Sequence, residues 1–425
     1  MLLFISCSFF LDEKRTKKSR KSNASTRRAS PPPRWIFRPT HSFQVEKQAL
    51  IKKLGLLLFF SLLMGSSTIT FAQVTPEQEA AAAFFLDETR SLQATDLAYE
   101  IAFEQLQQML QGQQPYSLKK AIFTVENAFF QQQLSYPRFE EVIAQLAHLA
   151  QLYAAVNDLP QYKAKDKEEV TLASAILQVM TDTVTIVDAR ERKLQHLPYR
   201  YDFEDFWGEQ QWVSTFVTKL MTLKTGNCHS LPLLYKLVAD ELGVETFLAR
   251  APNHLYIKRR SLQDGWYNTE LTSASFPMDG WLSASGYIHM DAIRNGTYMD
   301  TLSPTQNIAL CLVDLANGYQ RKNHNSDPSF VLKCVDLALT YYPNYAEAMV
   351  LKANTLQTQL KPLIEKYKTQ DLKELRKYPE AQSLIATMEA CYVKAYRLGY
   401  RNVSQPMYFA WLEEMAKAAT INQKP

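Results

Sequence analysis

The chain has 425 residues, enough for two or three cores, with an ordinary globular composition: 46% hydrophobic, 21% charged, mean hydropathy −0.26. Its 12 glycines include neither a G-x-G-x-x-G nor a P-loop, which argues against a glycine-rich nucleotide fold. Residues 1–53 hold thirteen Lys/Arg against three acids; that segment is +10 and, since 54–72 are uncharged, 73–425 carry −6 of the net +4, which gives no electrostatic ground for nucleic acid.

The first 46 residues mix Lys/Arg clusters with Pro31-Pro32-Pro33 and have no periodicity, so they read as a disordered basic leader. Lys52-Lys53, the apolar run Leu54 to Met64, and Thr70-Phe71-Ala72-Gln73 read as a signal peptide over about 50–72, cleaved after Ala72. The expected location is periplasmic or secreted, with no stable membrane span after cleavage. Four cysteines then remain, Cys228, Cys311, Cys334 and Cys391, at spacings that match no disulfide framework; the last three read as buried thiols on apolar helices.

Residues 73–165 read as a helical N-terminal region, with apolar positions three and four apart (Leu106, Met109, Leu110) and two short helices between Ser117 and Leu134. Over 166–300 aromatic, β-branched and turn residues increase. A helix is expected from Cys228 to Leu242, ended by Gly243, followed by strands Glu245–Ala251, His254–Arg260 and Trp266–Thr272 with turns at Pro252-Asn253 and Asp264-Gly265. Residues 301–425 return to helices, with a tight break at Pro343 between two of them. The fold class expected is α+β: a mainly helical chain around a helix and an antiparallel sheet.

The chemistry-bearing stretch is Thr225-Gly226-Asn227-Cys228-His229-Ser230. A cysteine at a helix start sits where unpaired N–H groups and the helix dipole favour the thiolate. His254, on the strand after next, is the candidate base; Glu270 and Asn268, on the following strand with equal parity, are candidates for the group that holds its ring. His254 faces Glu270 directly only if the hairpin is centred near Leu262, whereas a two-residue Asp264-Gly265 turn would put His254 opposite Ser275. A wider loop or a bulge is therefore required. Gln210, Gln211 and Trp212 upstream are candidate oxyanion donors. No spacing supports a metal site, and no cofactor is implied.

Gly-Asn-Cys-x-Ser before a leucine-rich helix, then Leu-Gly-Val, Asn-His-x-Tyr-Ile and Trp-x-Asn-x-Glu, resembles the transglutaminase-like superfamily over roughly 205–285. That resemblance implies a papain-like site with Cys228 as nucleophile, His254 as base and Glu270 as third residue, where the family usually has Asp. The helices around Ala338, Pro343 and Ala353, echoed at 390–400, resemble tetratricopeptide repeats. The whole resembles secreted bacterial proteins of this build. The superfamily-like site implies a cysteine hydrolase or acyltransferase acting on an amide of a protein or cell-wall peptide, between which the sequence does not choose, with the C-terminal helices open to a protein partner. The alternative is a non-catalytic binding or scaffold protein that uses those helices.

Overall fold

The structure, a computed structural model, describes Phe85 and residues 94–187, 193–322, 327–404, 406–408 and 410–414. The expected basic leader and signal peptide lie outside these residues.

Three N-terminal helices, α1 (Thr95–Leu110), α2 (Leu118–Phe129) and α3 (Tyr136–Val156), lead to α4 (Lys167–Thr181) and a hairpin of β1 (Val184–Val187) and β2 (Lys193–His196). One helix, not two, occupies 117–134. Ser117 caps it by accepting from Lys120 N–H, and left-handed Gln131 and Gln132 end it in a turn. Next come β3 (Arg200–Tyr201), α5 (Val217–Leu223), β4 (Thr225–Gly226), which pairs in parallel with β3, and α6 (Ser230–Glu241). Gly243, at φ +68°, follows the end of α6. The sheet is an antiparallel meander of β5 (Phe247–Ala251), β6 (His254–Ser261) and β7 (Gly265–Thr269) in sequence order. Short helices α7 (Asp279–Ser285) and α8 (Met290–Arg294) precede α9 (Pro304–Lys322), α10 (Pro328–Tyr341), α11 (Ala346–Gln359), α12 (Lys361–Tyr367), α13 (Leu372–Leu375) and α14 (Pro379–Arg397). The chain is thus mainly helical with small sheets, the α+β class expected.

Helix α6 is apolar nearly all round, as a helix enclosed on several sides must be. It packs on α3, α4, α5 and the inner face of β5 and β6. The largest core draws residues from both sides of 165 and of 300, because α9 lies against α1 and α2. Ala338 and Ala353 are fully buried where α10, α11 and α14 stack.

Two buried charges join these layers. Glu126 of α2 accepts from Val217 N–H at 2.6 Å and Thr218 N–H at 3.0 Å, so it serves as the missing acceptor at the start of α5. Burial raises its pKa to about 7, against the pull of those hydrogen bonds. Arg250 of β5 pairs with Glu347 of α11 and lies over the Tyr345 ring at 4.2 Å, with Tyr298 and Tyr342 beside it. At the far end of α14, Gly399 (φ +91°) sits so close to Ala292 that a Cβ there would collide with that residue's backbone.

Glu126→Ala leaves two interior N–H groups without an acceptor. We expect a loss of about 2–4 kcal/mol, read as a lower urea midpoint.

Candidate functional site

Cys228 does not begin α6. It lies two residues ahead of Ser230, in a turn built by Asn227, whose side-chain oxygen accepts from His229 N–H at 3.0 Å and Ser230 N–H at 3.1 Å. The Asn227 amide donates to Phe206 O at 3.0 Å. Asn227 therefore takes the capping role, which leaves the Cys228 backbone N–H ahead of the intrahelical ladder. Gly226 is required here, since a Cβ would run into Ser230 Oγ and Leu220.

His254 opens β6 after the Pro252-Asn253 turn, where Asn253 adopts φ +54° and Ala251 pairs with His254. The β6–β7 register has Ser261 opposite Gly265, so Leu262, Gln263 and Asp264 form a three-residue loop. Neither anticipated register is present. Continued along the strands, this pairing places Glu270 level with Tyr256, so His254 and Glu270 share a face as diagonal neighbours, not as a direct pair. The extra methylene of glutamate spans the diagonal: Glu270 Oε2 is 2.6 Å from His254 Nε2. The other oxygen, Oε1, accepts from Thr272 N–H at 2.8 Å and Thr272 Oγ1 at 2.7 Å, which fixes the carboxylate.

The Cys228 thiol donates to Asn253 O at 3.6 Å and lies against the His254 imidazole. All three side chains are enclosed: Cys228 is 6% exposed, and the His254 and Glu270 side chains 0% and 1%. Burial by itself pushes the Cys228 thiol up, but the hydrogen bond and charge of His254 outweigh it, and the net shift is downward. Cys311 is also buried, and burial, with Asp314 and Glu126 adding to it, pushes its thiol far up. Burial pulls His254 down, Glu270 and Cys228 pull it up, and it holds its proton to about 10. The arrangement therefore favours a thiolate–imidazolium pair, the form able to attack a carbonyl.

The remaining candidates lie elsewhere. Asn268 stands opposite Lys258, four residues along β6 from His254, and gives its amide N–H groups to Pro277 O at 2.9 Å and Asp279 Oδ1 at 2.8 Å; Glu270 is the residue that bonds the His254 ring, so Asn268 is not the alternate third residue. Gln210 and Gln211 give their backbone N–H groups to Asp205, with Gln210 exposed, and Trp212 packs on Gly318 and under Arg321. Trp212 is not part of the hydrophobic cluster around Cys228. Trp207 packs against the cluster that contains Cys228, and its buried indole Nε1 has no protein hydrogen-bond partner. Tyr408, from the far end of the chain, places its hydroxyl 3.0 Å from His254 Nδ1. Nothing in the sequence motif pointed to it. Among the described residues, no three His, Cys, Asp or Glu side chains gather as a metal site would need.

No family model matches the chain. No curated protein does either. A crystal structure of menin, reported with its binding site for the Mixed Lineage Leukemia protein, aligns with 77% of this chain and 89% of its own at 10% identity and a TM-score of 0.28. A score that low does not define a shared fold.

The charged pair sets a pH signature. His254, raised in the fold from an ordinary 6.5 to about 10, adds stability that is complete below 6.5 and lost as pH rises through 10. Cys228, lowered from an ordinary 9, adds stability present above 9 and lost as pH falls through its depressed value. The two slopes oppose each other over the shared window. We expect the melting temperature of Cys228→Ser to fall more steeply than that of the wild-type chain as pH rises above 6.5, with the fall ending at lower pH because Cys228 no longer helps His254 hold its proton.

Proposed function

We propose that the protein is a transglutaminase-like cysteine hydrolase or acyltransferase, exported, acting on an amide of a protein or peptide. One observation carries the reading: a thiol ahead of α6, an imidazole at the start of β6 and a carboxylate just past β7 meet in an enclosed site where the thiol is drawn down and other buried thiols are driven up. A cysteine kept only for packing has no use for a buried imidazole held by a fixed carboxylate.

In this mechanism the Cys228 thiolate attacks the amide carbon, forming a C–S bond as the carbonyl electrons move to oxygen. The Cys228 N–H and the Trp207 indole N–H are the groups that receive that oxyanion. His254 gives its proton to the leaving nitrogen as the C–N bond breaks, leaving a thioester and the free amine. It then takes a proton from an incoming water as that water attacks the thioester; the C–S bond breaks, the acid is released, and the thiolate–imidazolium pair is restored. An amine in place of water makes the same step a transfer. Glu270 keeps the imidazolium stable and turned toward the sulfur throughout.

A small haloacetamide tests the pair without knowledge of the substrate. Cys228 should alkylate faster than Cys311 at pH 7, and its pH profile should have a midpoint below that of an ordinary thiol. His254→Ala should slow the reaction on the order of a hundredfold. Glu270→Gln, which keeps the shape and removes the charge, should move the midpoint upward. Equal rates at Cys228 and Cys311, unchanged by His254→Ala, would overturn the enzyme reading and favour a binding or scaffold role.

A further inference from the structure

The site is closed by its own chain. Beyond Gly399, Val403 accepts through its carbonyl from Asn253 Nδ2 at 3.3 Å, at the turn that also receives the Cys228 thiol. Residues 406–408 and 410–414 are helical, and Val403, Tyr408, Trp411 and Leu412 share one buried cluster with Cys228 and Phe206. The Tyr408 ring stacks on Phe206, with centroids 5.6 Å apart and planes 20° apart, and lies 5.8 Å from the Trp207 ring. Its hydroxyl reaches His254 Nδ1, the nitrogen not taken by Glu270. Trp411 meets the His254 ring edge-on at 4.6 Å. Nδ1 is the atom that must exchange a proton with sulfur, leaving group and water, and a phenol hydroxyl stands on it.

We propose that Val403, Tyr408, Trp411 and Leu412 form an intrasteric plug, and that Tyr408 occupies the side-chain subsite of a substrate that bears an aromatic ring near the attacked carbonyl. The inference rests on the reading of Cys228 and His254 as the reacting pair. When the plug leaves, Trp411 leaves with it, while Phe206, Trp207 and Tyr201 remain as an aromatic slot beside the sulfur. A flat ring entering that slot regains the stacking that Tyr408 gives up; an alkyl chain regains only part of it. Coverage of this kind also protects a reactive thiolate from oxidation outside the cell until substrate displaces the cover.

The test compares alkylation of Cys228 by N-benzylchloroacetamide and N-butylchloroacetamide in the full-length wild-type chain and in Tyr408→Ala. We expect both reagents to react at least about tenfold faster in the variant, where local cover no longer limits access. The benzyl reagent should lead the butyl one by about three- to tenfold in the variant alone. Equal rates in wild type and a folded Tyr408→Ala would overturn the plug, and a butyl rate matching the benzyl rate would overturn the aromatic subsite. If Tyr408→Ala loses its helical circular dichroism, hydrogen exchange on the wild-type chain decides: benzyl labelling at Cys228 should speed exchange at 406–414 and leave 379–397 unchanged. No change at 406–414 would overturn the proposal. His254→Ala placed in the Tyr408→Ala background separates the two readings. Fast labelling that ignores His254 would leave the plug standing and remove the base.

Discussion

An imidazolium with no contact to water is tenable only if a carboxylate shares its enclosure. Two opposite charges 2.6 Å apart between His254 and Glu270 offset much of the cost of taking each from solvent, and Thr272 satisfies the second carboxylate oxygen. The rest of the site depends on that pair. Without it burial would leave His254 neutral, and without a charged His254 burial would leave Cys228 a thiol like Cys311. The sheet register exists in the service of this contact. An odd loop of three residues keeps His254 and Glu270 on one face; an even loop would have turned them to opposite faces.

Much of the central region was legible because its signals are local. Pro252-Asn253, Asp264-Gly265 and Gly243 mark the ends of elements through backbone conformations that few residues adopt, and the three strands fall within a residue or two of their expected limits apart from the last. That last strand stops at Thr269 because Glu270 bonds back to Ser275 in a tight turn. The helix start was misjudged for a related reason. The expected start at Cys228 is two residues early, because the side chain that accepts two N–H groups ahead of the helix is Asn227, and only geometry shows that it does so.

Contacts between distant parts of the chain were not legible. Tyr408 is 154 residues from His254, and Trp207 is separated from Cys228 by an entire helix and a strand. Periodicity says which face of a helix is apolar and nothing about which distant surface will meet it. The same holds for Glu126, a lone acid in an apolar helix, whose purpose is set by the start of α5 ninety residues later. Arg250 belongs here too, since its aromatic cage comes from residues around α8, α10 and α11. Polar residues inside a core carry long-range information that is decoded only once their partners are known.

The docking of Gly399 on Ala292 sets how far the following residues can stray from the site. Because α14 ends at a fixed point against α8, only Tyr400, Arg401 and Asn402 separate an anchored backbone from Val403 at the site. So short a tether gives the following residues a local concentration of millimolar order or higher around Cys228. Under the proposed plug, a soluble ligand competes with an occupant it cannot dilute, and its apparent affinity falls below its intrinsic affinity.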